Sequence, residues 1–183
     1  IAAAWEALPL TVPDRKVLER QRITSMPGHG ELGAFDVLRT RVLQQMRARG
    51  WKRLGITSPT AGCGKTTMAL NLGFGLTRNP ELRCMILETD LRRPSIGRKL
   101  GLRTIPDFAS VLKGESDFAR QGIRCAKNLA LGVCAGPVRA SAELLQGSTA
   151  LAVLAGIETF YPPDILLFDL PPALAGGPGR GLV

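Results

Sequence analysis

The segment Arg53–Leu76, RLGITSPTAGCGKTTMALNLGFGL, constrains the fold more than any other part of the chain. Residues 53–57 read as a short strand and residues 66–76 as a helix, joined by a loop that carries two glycines and ends in Lys65. Holding a phosphate requires backbone N–H groups turned inward, a helix N-terminus behind them and one cation at the end. Gly62 and Gly64 keep the turn free of β-carbons, and Ala61, Cys63 and Thr67 complete the loop. Lys65 supplies the charge and Thr66 a hydroxyl for Mg²⁺. The strict pattern for such a loop has one more glycine where this chain has Pro59, so the loop is of a deviant kind.

Strand-type apolar runs recur downstream in RCMILETD, NLALGVCAG and DILLFDLPP. Between them DFASVLKG reads as a short helix closed by glycine, and SAELLQGSTALAVLAGIETFY as one long helix. Leu144, Ser148, Leu151, Leu154 and Ile157 lie along one side of that long helix. Upstream, ELGAFDVLRTRVLQQMRARG spaces Leu32, Phe35, Leu38, Val42 and Met46 by three and four, which is an amphipathic helix stopped by Gly50. Strands alternating with helices imply an α/β fold, a parallel sheet flanked by helices on both faces. Residues 1–30 have weak periodicity and end in MPGHG, which reads as an extended N-terminal arm before a domain spanning 31–183. After Pro172 the chain runs ALAGGPGRGLV, a flexible-loop composition that fits a C-terminus truncated from a longer protein.

Two more segments bring carboxylates to strand ends. ILLFDLPP leads apolar residues into Asp169, the form of a strand that ends in a magnesium-binding aspartate. MILETDLRRP ends another strand in Glu88 and Asp90, whose alternate positions put both carboxylates on one face. In open α/β sheets such strand ends form the ligand crevice. A pair of carboxylates beside a triphosphate suits metal coordination or removal of a proton from an attacking hydroxyl. Arg92 follows closely enough to pair with a phosphate or a carboxylate.

Composition narrows the class. Cys63, Cys84, Cys125 and Cys134 have no paired spacing and the single histidine is His29, which argues against a disulfide framework and a zinc site and for a reducing cytoplasm. No apolar run is long enough to span a membrane, and IAAAWEALPL is no signal peptide; a start without Met fits the cut end of a longer chain. The net charge of +9 invites an anionic partner. The basic residues are scattered and two Trp, one Tyr and six Phe offer few stacking surfaces, so nucleic acid is not expected.

ITSPTAGCGKTT, MILETDLRRPS and ILLFDLPP, in this order and spacing, resemble the bacterial tyrosine kinases (BY-kinases) of capsule and exopolysaccharide synthesis. That family carries a Walker A loop, an acidic Walker A′ strand and a Walker B strand ending in Asp-x-Pro-Pro. AFDVLRT, DFASVLKG and AGPVRASAELL resemble its further landmarks, and the likeness covers roughly residues 31–172. It implies a P-loop fold close to that of the partitioning ATPases, whose signature lysine is replaced here by Thr60. It also implies ATP and Mg²⁺ as cofactors, transfer of phosphate to protein tyrosine, and a membrane-embedded polysaccharide co-polymerase as activating partner. A cytoplasmic site at the inner membrane face and assembly into a homo-oligomer follow from the same likeness. By resemblance Lys65, Asp90 and Glu88 are catalytic, and Thr66, Asp90 and Asp169 hold the metal. Departures are Glu88 for Asp, Cys63 for Glu, and an oligomerising Glu-x-x-Arg-x-x-Arg pattern that would fall on Gly33, Asp36 and Arg39. The tyrosine-rich tail is missing, and Tyr161 is the only tyrosine. A switch ATPase and a non-catalytic nucleotide-sensing adaptor of the export machinery stand as alternatives.

Overall fold

A computed structural model describes residues 2–26 and 33–174. The elements run α1 (Ala2–Ala7), α2 (Arg15–Arg20), α3 (Ala34–Arg49), β1 (Arg53–Ile56), α4 (Lys65–Leu76) and β2 (Cys84–Glu88). Then follow α5 (Ile96–Lys99), α6 (Phe108–Leu112), α7 (Phe118–Gln121), β3 (Gly122–Ala126), β4 (Leu129–Gly132), α8 (Ser141–Gln146), α9 (Ser148–Phe160) and β5 (Ile165–Asp169). The five strands form one sheet in the order β1-β5-β2-β4-β3. The first four in that order are mutually parallel, as the alternation of strands and helices requires, and β3 is added antiparallel at the edge.

Both faces of the sheet are covered, and the strand sequences show how. In β2, Cys84 and Ile86 face one core with Leu70, Phe74 and Met46, while Met85 and Leu87 face the other with Phe108, Ala150 and Ile157. β5 splits the same way, Ile165 and Leu167 against Leu166 and Phe168. Period-2 alternation with apolar residues on both sides is why these strands read as continuous hydrophobic runs. Helix α4 lies between the sheet and α3, so it is buried nearly all round.

Three features differ from the sequence expectation. The long helix over 141–161 is broken at Gly147, whose extended backbone (ψ 144°) separates α8 from α9. The apolar side of α9 is set by Ala150 and Ile157, leaving Leu151 57% exposed. Strand β3 had no sequence signal because Arg124 interrupts it. Its guanidinium is satisfied by the carbonyls of Leu8 (3.0 Å) and Glu6 (2.8 Å).

The third difference is the N-terminal stretch, expected to be extended. Two six-residue helices, too short to show periodicity, occur there instead. Trp5 and Leu8 are buried on one face of the sheet, and Leu18 and Ile23 on the other. Between them Leu10 bridges to Arg124, with Thr11 N–H donating to the Arg124 carbonyl and Arg124 N–H to that of Pro9, both at 2.7 Å. The segment thus wraps around the β3 edge and occupies hydrogen-bonding groups that an open edge would expose. The breaker cluster around Met26–Gly30 lies largely outside the described residues, as do Leu32 and the glycine-rich end after Leu174. Gly50 ends α3 in a left-handed conformation (φ 64°), as expected.

Candidate functional site

The loop between β1 and α4 stands at the carboxyl edge of the parallel strands, beside the ends of β2 and β5. Among its residues Gly62 (φ 81°) and Gly64 (φ 85°) adopt the left-handed backbone that side chains resist. Position 59 does not, so proline is tolerated where the strict pattern has glycine. The loop is braced from the β5 side. Thr57 Oγ1 donates to the Pro171 carbonyl (2.7 Å), Ala173 N–H to that of Ser58 (2.8 Å), and Leu174 N–H to that of Pro59 (3.1 Å).

Two side-chain pairs link the loop to the acidic strand ends. Lys65 Nζ meets Asp90 Oδ2 at 2.5 Å, with side chains 11% and 3% exposed. Thr66 Oγ1 donates to Asp169 Oδ2 at 2.7 Å. Asp90 is positioned by its own backbone, whose N–H donates to the Asp169 carbonyl (2.8 Å), and its Oδ1 accepts from Arg93 N–H (3.3 Å). Burial pushes the Asp169 carboxyl above its ordinary value against the pull of the Thr66 hydroxyl and the Lys65 charge.

The other Asp169 oxygen, Oδ1, is buried with no partner among the described residues. Buried acceptors are nearly always satisfied, and a divalent cation beside Thr66 is the partner such an atom fits. Among the described residues no three His, Cys, Asp or Glu gather at one point. Mg²⁺ sites commonly use one or two protein groups, with phosphate oxygens and water completing the shell.

Glu88 does not join this group. It is fully buried, and its Oε1 accepts from the N–H groups of Ser95 (2.5 Å) and Ile96 (2.8 Å), its Oε2 from that of Cys134 (2.9 Å). Strand alternation would put it on one face with Asp90, but β2 ends at Glu88 and the N–H groups of Thr89 and Asp90 both donate to the Asp169 carbonyl, which breaks the alternation. Burial raises the Glu88 carboxyl to about 7, the amide donors working the other way.

A cavity of about 580 Å³ opens beside the loop, lined by Ala61, Gly62, Gly64 and Lys65–Thr67 among others. Arg92 is absent from its lining; it is exposed and donates from Nε to Ser141 Oγ at 3.3 Å. It lines a smaller cavity of about 240 Å³ that shares Ala61, Asp90 and Arg93 with the first. Arg93, Arg98 and Lys99, which the sequence reading passed over, do face the larger cavity. Basic residues on a short helix or in the turn before it have no local mark that separates them from a solvated face. Cys63 is exposed and shares a 3.3 Å hydrogen bond with the Thr60 hydroxyl, which holds its thiol below the ordinary 9.0. On α3, Asp36 pairs with Arg78 (2.9 Å) and Arg39 (3.6 Å), and Arg39 donates to the Gly75 carbonyl (3.1 Å), so both residues are engaged within the chain.

A glycine loop between a strand and a helix, with aspartates at two adjoining strand ends, defines a P-loop nucleotide-binding fold. Solved structures with the same fold include the kinase domain of Escherichia coli tyrosine kinase ETK, 20% identical over 92% of this chain and 69% of that one, with a TM-score of 0.72. The BceF tyrosine kinase domain matches at 21% identity over 91% and 71%, TM-score 0.66. Cobyrinic acid a,c-diamide synthase from Mycobacterium smegmatis, solved with an ATP analogue and magnesium, matches at 21% over 67% and 52%, TM-score 0.55. No family model matches the chain, and no curated protein matches it by sequence. None of the described helices is long and apolar enough to cross a membrane.

Proposed function

We propose that the chain is a BY-kinase-like domain that binds ATP with Mg²⁺ and transfers or releases the terminal phosphate. The observation that carries this is the double tie of Lys65 to Asp90 and Thr66 to Asp169, with one Asp169 oxygen buried and unpartnered among the described residues. Lys65 would leave Asp90 to hold the β- and γ-phosphates, with the N–H groups around Gly62 and Gly64 cradling the chain. Thr66 and Asp169 would hold Mg²⁺, which neutralises phosphate charge when bound. Asp90, released from Lys65, would complete the cation site or take the proton of the attacking hydroxyl. As the new P–O bond forms, the bond between the γ-phosphorus and the bridging oxygen breaks and ADP leaves with that electron pair. With Glu88 fixed by three amides, the base falls to Asp90. Exopolysaccharide or capsule production, a membrane-embedded co-polymerase as activator, a cytoplasmic site and oligomerisation are part of the same reading.

Where the phosphate goes is open to a second reading. Tyr161 is 8% exposed, packed edge-to-face on Phe118 at 5.2 Å, and precedes the start of β5, whereas Asp169 ends that strand. This favours hydrolysis, or phosphorylation of a separate tyrosine-bearing chain, over self-phosphorylation. Incubation with γ-labelled ATP and Mg²⁺, with and without a tyrosine-rich peptide, separates the cases. Label on peptide tyrosine supports the kinase and free phosphate the switch ATPase. Neither product, despite tight binding, leaves a nucleotide-sensing adaptor.

A further inference from the structure

One wall of the cavity beside the phosphate loop comes from far upstream in the chain, from Arg20, Gln21 and Arg22. Arg22 is the one non-glycine among the described residues with a left-handed backbone, φ 59°. That conformation is unfavourable for a residue with a β-carbon, so something must impose it. Asn71, fully buried in α4, does so. Its Nδ2 donates to the carbonyls of Arg22 (2.8 Å) and Thr67 (2.9 Å). Its Oδ1 accepts from Thr24 N–H (2.9 Å), Ser25 N–H (3.2 Å) and Ser25 Oγ (3.0 Å). Ile23, completely buried, anchors the segment in the core while Arg22 stays exposed on the cavity. One asparagine therefore ties residues 22–25 to the first turn of α4, directly behind the phosphate loop.

The charge of the cavity is unbalanced. Arg20, Arg22, Arg93, Arg98 and Lys99 face it together with Lys65, and Asp90, already paired with Lys65, is the sole carboxylate among the described residues that line it. Lys99 sits below its ordinary value through burial and then the neighbouring Arg98 charge. A polyanion is what this arrangement lacks.

We infer that Arg22 is a nucleotide-binding residue whose guanidinium meets the phosphate chain held by the loop, and that Asn71 is the residue that positions it. The inference rests on the phosphate-loop reading above. The N-terminal segment is then part of the site, and by linkage nucleotide binding tightens the docking of residues 20–25 as much as their docking tightens nucleotide binding.

Arg22→Gly tests it, because glycine removes the guanidinium and suits φ 59°. The Tm should hold or rise while the Kd for ADP·Mg²⁺, by calorimetry, weakens about tenfold, the size of one lost charge-assisted contact. Arg22→Glu should weaken it further, about a hundredfold, by placing a like charge against phosphate. Wild-type affinity in Arg22→Gly, with binding lost in Lys65→Ala, overturns the inference and leaves the phosphate-loop reading standing. Wild-type affinity in Lys65→Ala overturns both. An affinity loss in Arg22→Gly matched by a fall in Tm assigns Arg22 to the fold and likewise refutes the inference.

Discussion

Replacing Glu88 by glutamine should make the chain relatively more stable as pH rises. The carboxyl is completely buried and its ionisation is displaced from 4.5 to about 7 by that burial. A group raised in the folded state stabilises fully below its unfolded value and loses that contribution as pH climbs through its folded value. For Glu88 the window is pH 4.5 to about 7. At about 1.4 kcal/mol per tenfold change in proton activity, the displacement is worth about 3 kcal/mol. Glutamine does not ionise, so the difference in unfolding free energy between Glu88→Gln and wild type should shift in the variant's favour by about that amount between pH 4.5 and 8. On top lies a pH-independent cost of about 1–3 kcal/mol, because the Gln amide leaves one of the N–H groups of Ser95, Ile96 or Cys134 facing another donor. Urea unfolding followed by circular dichroism across that range measures both. A difference that stays flat, or moves toward wild type with rising pH, would show that the three amides hold the carboxylate ionised and that the balance argued here is wrong.

Lys65→Ala should weaken ATP·Mg²⁺ binding by at least ~2 kcal/mol, about 30-fold, through loss of a charge-assisted phosphate contact; unchanged affinity by calorimetry counts against the site. Cys63, exposed and with its thiol lowered by Thr60, should react with maleimide more readily than the buried Cys84, Cys125 and Cys134, and ATP·Mg²⁺ should protect it. Equal labelling with and without nucleotide would speak against a ligand over that part of the loop. Mass spectrometry after incubation with ATP·Mg²⁺ should find Tyr161 unmodified. Its ring is buried at the edge of the sheet opposite the loop, a separation of roughly 15–20 Å over a five-residue strand.

The sequence by itself determined what contiguous residues can encode. The strand-loop-helix unit around Gly62–Thr66 and the apolar strands ending at Glu88 and Asp169 were legible because periodicity and turn chemistry act within a few residues. So was the order of the strand and helix units, and with it the parallel core of the sheet. Asn71 offered a signal that went unread, a lone amide on an otherwise apolar buried helix. Tertiary structure decided the rest. β3 became a strand by pairing antiparallel with β4, and the N-terminal segment folded because that edge, the Arg124 side chain and two core faces were there to receive it. Glu88 and Asp90, two residues apart, parted company because amides of Ser95, Ile96 and Cys134 converge on one and Lys65 on the other. The contact of Asn71 with Thr24 spans 47 positions. No local pattern records such a meeting, because it is fixed by which buried donors and acceptors the packed chain must satisfy.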